Sequence, residues 1–228
     1  MTGYAFAPPP VVALPVKGTP DLFPVRRVYC IGRNYAAHAI EMGHDPDREP
    51  PFFFQKNPDN LDPSGQFPYP PHSNDVHFEA ELAVVLKAGG TNIPVKDAMG
   101  CVYGYALALD MTRRDLQGQA KKMGRPWEIG KAFERSGPIG PIHRIEDTGI
   151  LENGRLELTV NGEIRQQGDL NQMIWKIPEI ISYLSEYFVL GAGDVILTGT
   201  PAGVGAVERG DRMEISVEGL GRFSVVVT

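Results

Sequence analysis

Two glutamates interrupt what would otherwise be a fully apolar strand. Residues 77–85 read HFEAELAVV, and strand alternation places positions 77, 79, 81 and 83 on one side and Phe78, Ala80, Leu82 and Val84 on the other. A carboxylate in apolar surroundings needs a cation or a set of hydrogen-bond donors. Two arrangements satisfy this. Either Glu79 and Glu81 face water from an edge strand, or they converge on one ion, from which a separation of about 6.6 Å along the strand does not exclude them. Asp110 ends a second apolar run, VYGYALALD at 102–110, just before a helix-like segment. It is the candidate third carboxylate. Three carboxylates with room for water suit Mg²⁺ or Mn²⁺, which prefer oxygen ligands in octahedral geometry.

The rest of the chain is built to the same pattern of short strands and turns. It has 228 residues, 42% hydrophobic and 22% charged, with 26 Gly and 20 Pro spread along it. That is a globular make-up with enough length for a substantial core in one domain. Residues 1–25 form a Pro-rich arm with apolar beads, and residues 26–228 the main body. VRRVYCIG (25–32) is a strand, and NYAAHAIEMG a short helix from about Asn34 that Gly43 ends. Loops rich in proline surround a short PFFF strand, followed by the strand at 77–86. TRRDLQGQAKKM is helical, with Thr112 as its cap. RLELTVNGEIRQQG is a hairpin turning at Asn161-Gly162, and IPEIISYLSEYF an amphipathic helix opened by Pro178. GDVILTGTP and DRMEISVEGLGRFSVVV supply the last strands. The expected fold is mainly β (α+β), with mixed sheets around a central site.

Charge and cysteine content narrow the function. A formal net charge of −6 without a Lys/Arg cluster excludes a nucleic-acid surface, and Lys121-Lys122 reads as a solvated pair. Cys30 and Cys101 are buried thiols in apolar strands, and no spacing suits structural zinc. The N-terminal stretch lacks a basic start and is broken by prolines, which argues against a signal peptide or membrane span. A cytoplasmic enzyme is expected.

Three further features carry candidate chemistry. His38 and Glu41 stand at i and i+3 on a short helix, either as an incidental surface ion pair or as a carboxylate-held histidine that takes a proton from water. Lys131, in EIGKAF, is either solvated or a site lysine. LTGTPAGVG (197–205) lacks the GK[ST] of a phosphate loop. It is either a tight turn or a loop whose Thr200 and backbone N–H groups hold a carboxylate.

Taken in order, GRNYAAH–IEM, FEAEL, ALDMTRRDLQ, GKAF and ILTGTPAGVG resemble the fumarylacetoacetate hydrolase superfamily over about residues 26–228. The likeness is greatest to the short, single-domain acylpyruvate hydrolases, especially bacterial fumarylpyruvate hydrolases. The resemblance implies a mixed β-sandwich roll, usually homodimeric, with one Mg²⁺ or Mn²⁺ per subunit held by Glu79, Glu81 and Asp110. It implies His38 and Glu41 as a water-activating pair on a mobile lid helix, and Lys131 as the active-site lysine. Arg114 and Gln117 would face the substrate and Thr200 would grip its carboxylate. The implied reaction is C–C hydrolysis of an acylpyruvate such as fumarylpyruvate, in gentisate breakdown. Oxaloacetate decarboxylation or tautomerisation on the same metal, and metabolite binding without turnover, are the alternatives.

Overall fold

The fold is a mixed β-sandwich roll with a few short helices. A computed structural model describes residues 3–42 and 50–228; Gly43 and Pro46, in the expected lid, lie outside the described residues. The main sheet has six strands in the order His143–Arg144, Val102–Leu109, Ala80–Leu86, Asp194–Leu197, Arg27–Gly32 and Phe52–Lys56. Only Asp194–Leu197 and Arg27–Gly32 pair in parallel. A second sheet orders Glu163–Asp169, Arg155–Val160, Arg212–Val217, Gly221–Val227 and Gln66–Phe67.

Both faces of the main sheet are buried, by different means. On one, Leu82, Val84, Leu107, Leu109 and Ile196 share a core with Leu156, Leu158, Met213, Ile215 and Val225 of the second sheet. The amphipathic helix, Ile177–Tyr187, adds Ile177, Ile180, Ile181 and Leu184 to that core. Its 3.6-residue spacing made it legible, and Glu179 accepts a hydrogen bond from the Lys176 N–H at its start. On the opposite face, Ala83, Ala106 and Ala108 leave shallow ground that the N-terminal arm fills. Its strands Ala13–Pro15 and Leu22–Pro24 pair antiparallel, and Leu14, Val16, Phe23 and Val25 are buried in a second core.

The strand carrying the glutamates is central and broken. Ala80–Leu86 lies between Val102–Leu109 and Asp194–Leu197, so the edge-strand arrangement does not occur. Val76–Phe78 belongs instead to a small three-stranded sheet with Thr112–Arg113 and Gly205–Ala206. Glu79 sits at the switch between the two sheets rather than inside one continuous strand. The first helix also differs, running Ala36–Glu41 behind Tyr35. Asn34 does not cap it. Fully buried, its amide instead donates to the carbonyls of Thr198 and Trp175 and accepts from the Trp175 N–H. Thr112 is likewise no cap, since the helix Arg114–Lys122 starts after Arg113 and the Thr112 hydroxyl donates to the Asp110 carbonyl.

Candidate metal centre

Sheet geometry gathers three carboxylates from two strand ends. The Ala80–Leu86 and Val102–Leu109 strands are antiparallel neighbours with Ala80 opposite Leu109, so the start of one meets the end of the other. The Asp110 N–H donates to the Glu79 carbonyl at 2.9 Å. Glu79, Glu81 and Asp110 are all buried, and each offers an oxygen within 4.8 Å of the others. Cations surround two of them. Lys131 Nζ donates to Glu79 Oε2 and to Asp110 Oδ2, at 2.8 Å each. Arg114 Nη2 donates to Glu79 Oε1 at 2.5 Å. Lys56 Nζ pairs with Asp110 Oδ1 at 2.9 Å and also donates to Ser136 Oγ and the Lys131 carbonyl. Asp110 Oδ1 is thus buried against a single cation.

Glu81 is treated differently. Among the described residues, its Oε2 accepts the Gly199 N–H alone, at 2.7 Å. Burial, then the neighbouring Asp110 and Glu79, push its carboxyl well above the usual carboxylate range. Burial also pushes Glu79 up, but Lys131 and Arg114 outweigh it and hold that carboxyl below the range. For Lys131, burial opposes the charge, while Asp110 and Glu79 more than restore it.

This donor set fits a divalent ion. Octahedral oxygen ligands at 2.0–2.1 Å are at most about 4.2 Å apart, comparable with the observed grouping. The under-compensated Glu81 is the feature that added positive charge would satisfy.

Of the remaining expected residues, His38, Arg114, Gln117, Lys131 and Thr200 line one cleft with the triad, and Glu41 meets it through His38. His38 is buried, with Nδ1 3.0 Å from Glu41 Oε2. Glu41 also accepts the Gly203 N–H at 3.0 Å, which holds the helix against the loop after Leu197. Gln117 Oε1 accepts from Arg114 Nη1 at 2.7 Å, so a ligand would meet its amide N–H₂ group. Lys131 is buried rather than solvated, and Lys121 lines the cleft instead of standing free in water. The Thr200 hydroxyl is already engaged. It donates to the Ala80 carbonyl and accepts from Gln166 Nε2, both at 2.8 Å, which leaves it no proton for a substrate carboxylate.

Sequence reasoning missed two residues here. Nothing in FFFQK pointed to Lys56 as a second buried cation on Asp110. Gln166 was hidden by a β-bulge. Without it, a two-residue turn would set Gln166 opposite Glu157, facing outward. The register instead passes from Thr159↔Ile164 to Leu158↔Gln166, and the extra residue turns Gln166 inward, where it is buried. Gln166 Oε1 accepts the Ala80 N–H at 2.9 Å, and its Nε2 donates to Thr200 Oγ1 and the Pro201 carbonyl. The peptide between the two glutamates is therefore clamped on both sides. Gln166→Leu should weaken Mn²⁺ binding about 10–100-fold, the usual cost of losing a partner that orients ligands. Mn²⁺ titration followed by electron paramagnetic resonance, with melting curves as a folding control, measures this; unchanged affinity would show that the clamp does not orient the ligands.

Comparison with known proteins decides the family. The sequence profile described as "Fumarylacetoacetate (FAA) hydrolase C-terminal" matches residues 27–228. The chain belongs to the fumarylacetoacetate hydrolase family. Within it, the chain is 52% identical to a fumarylpyruvate hydrolase from Pseudomonas aeruginosa, solved in complex with Mn²⁺ and pyruvate. That similarity covers 99% of both chains with a TM-score of 0.97. It is also 43% identical to the oxaloacetate tautomerase YcgM of Escherichia coli (strain K12), over 86% of this chain and 90% of that protein. A mitochondrial oxaloacetate decarboxylase of Dictyostelium discoideum is 42% identical, with 86% and 90% covered. Among the described residues, no helix is long and apolar enough to cross a membrane.

Proposed function

We propose that this chain is a metal-dependent hydrolase that cleaves the C–C bond of an acylpyruvate, with fumarylpyruvate, giving fumarate and pyruvate, as the preferred substrate. One observation supports the reading: a carboxylate-held histidine and a buried triad of carboxylates open onto the same cleft. Glu79, Glu81 and Asp110 would hold a Mg²⁺ or Mn²⁺ ion, which would supply Lewis-acid charge to the oxygens of a 2-oxo acid. With Nδ1–H donating to Glu41, His38 keeps Nε2 as an acceptor for a proton from water. The resulting hydroxide adds to the distal acyl carbonyl. The C–C bond then breaks, its electron pair passes to the pyruvate fragment as an enolate, and the proton held on His38 can return to that carbon. Lys131 and Arg114 offset the negative charge that develops, inside a site where little water screens them. Gln117 offers its amide to the substrate. Thr200 acts through the Ala80 peptide in the arrangement described above, and reaches a carboxylate only if its hydroxyl leaves Ala80.

The relatives named for oxaloacetate chemistry favour a second reading, tautomerisation or decarboxylation of a β-keto acid. It uses the same enolate stabilisation without an attacking water. Assay of purified protein with Mg²⁺ or Mn²⁺ across acylpyruvates and oxaloacetate, with products identified, separates the two. Release of fumarate and pyruvate from fumarylpyruvate is expected. Turnover of oxaloacetate with no acylpyruvate cleaved would replace the first reading by the second.

A further inference from the structure

One peptide unit joins the carboxylate triad to the helix of His38. The peptide between Thr198 and Gly199 is trans, so its carbonyl and N–H point in opposite directions. The N–H donates to Glu81 Oε2 at 2.7 Å, and the carbonyl accepts from Asn34 Nδ2 at 2.8 Å. A donor on the carbonyl polarises the unit and makes its N–H the better donor. Thr198 is held in turn by the strand that carries Glu81. Its N–H and its hydroxyl both donate to the Leu82 carbonyl, at 3.0 and 2.9 Å.

Asn34 is built into this position. It is fully buried. Its side-chain oxygen accepts the Trp175 N–H at 2.7 Å, and its amide also donates to the Trp175 carbonyl at 3.0 Å. Its backbone carbonyl accepts the Ile174 N–H at 2.7 Å. Gly199 has a φ of 98°, and a Cβ there would stand 2.7 Å from the Asn34 Cβ. So close an approach needs a residue without a side chain.

Asn34 also roots the helix Ala36–Glu41, which begins two residues later. Six residues are too few to hold a helix by themselves, and only His38 and Ala39 among them are buried. The placement of His38 therefore depends on the helix ends. Glu41 ties the far end to the Gly203 N–H, and Asn34 ties the near end to Thr198. Both ties reach the stretch 198–203, from which Glu81 draws its hydrogen bond.

We propose that Asn34 is a positioning residue that couples Glu81 to the His38 helix through the peptide between Thr198 and Gly199. An ion at the triad would fix Glu81, then the Gly199 N–H and, through the Thr198 carbonyl, the root of the helix. Linkage makes the effect mutual, so loosening the root weakens metal binding. This coupling depends on the metal assignment and not on which of the two reactions the site performs.

Amide exchange at Ala39 and Met42, whose N–H groups donate to the Tyr35 and His38 carbonyls, reads the helix. In wild type, Mg²⁺ should slow it at least about fivefold, the lower end of coupling between sites. Asn34→Asp keeps an acceptor for the Trp175 N–H but loses both donors, and Asn34→Leu is its uncharged counterpart. Each should cut the slowing to less than about twofold and weaken Mn²⁺ binding about 10–100-fold. A side chain that only supports the fold would change exchange equally with and without metal. Mn²⁺ binding with no slowing in wild type overturns the coupling and leaves the metal assignment standing. Slowing that survives in the folded variants overturns the role of Asn34. No Mn²⁺ binding by wild type removes both coupling and metal. If neither variant folds, the wild-type Asn34 side-chain amide decides. Its exchange must also slow with Mg²⁺, and unchanged exchange there overturns the proposal.

Discussion

Glu81→Gln is expected to abolish metal binding and turnover while leaving the metal-free protein at least as stable as before. The two outcomes have one cause. Every oxygen of Glu79 and Asp110 faces Lys131, Arg114 or Lys56, whereas Glu81 has one backbone N–H and the Lys131 charge, which burial and two carboxylate neighbours outweigh. A glutamine keeps an acceptor for Gly199 and removes the repelled charge, but it cannot serve as an anionic ligand. Loss of Mn²⁺ affinity should exceed the roughly 10–100-fold that an outer partner costs. The pH dependence has a definite sign. Because the folded Glu81 carboxyl titrates above its ordinary value of 4.5, its contribution to stability is full below that value and is lost as pH rises through the folded one. Metal-free wild type should therefore lose stability across that window, and Glu81→Gln should lose less. Asp110→Ala should behave oppositely. It strands Lys56 and Lys131 without their shared counter-ion, at a cost of about 3–5 kcal/mol. Thermal melts in chelator at several pH values, paired with Mn²⁺ titrations, read all of this. Wild-type Mn²⁺ affinity in Glu81→Gln would remove Glu81 from the ligand set.

His38→Ala is expected to separate two activities of one site. Acylpyruvate hydrolysis should fall by roughly 10²–10⁴-fold, the range for loss of a positioned general base. Any oxaloacetate decarboxylation should fall much less, because it needs the metal and a stabilised enolate but no activated water. Metal affinity should persist, since His38 is absent from the carboxylate group. Both rates must be measured on one preparation, with Mn²⁺ occupancy established. If both activities fall together in folded, metal-loaded protein, hydrolysis and decarboxylation share His38 and the water-activating role fails. If both are retained, His38 takes no part in either.

How far each element was legible depended on the range of the interactions that fix it. Ile177–Tyr187 and the Asn161-Gly162 turn were readable because spacing and turn chemistry are local. Asn161 and Gly162 adopt φ of 53° and 85°, as a two-residue hairpin turn requires. Caps read less well. Asn34 and Thr112 are typical helix starters, yet both serve carbonyls outside their helices, those of Asn34 more than a hundred residues away in sequence. The break at Glu79 was invisible, because alternation continues through it while the pairing partners change from one sheet to another.

The sequence alone determined the chemistry available: two glutamates astride one alanine, an aspartate closing an apolar strand, and a histidine three residues from a glutamate. Those identities need no fold to be read. Tertiary structure decided which of them meet and what charge each carries. Antiparallel pairing of Ala80 with Leu109 brings Asp110 to the glutamates. A one-residue bulge swings Gln166 from solvent to the Ala80 peptide. Lys56 acquires its role only because tertiary folding brings its side chain against Asp110. The physical reason is that ionisation and coordination depend on distances through space. A single inserted residue in a hairpin, or a change of sheet at one glutamate, alters those distances without altering the local pattern from which a sequence is read.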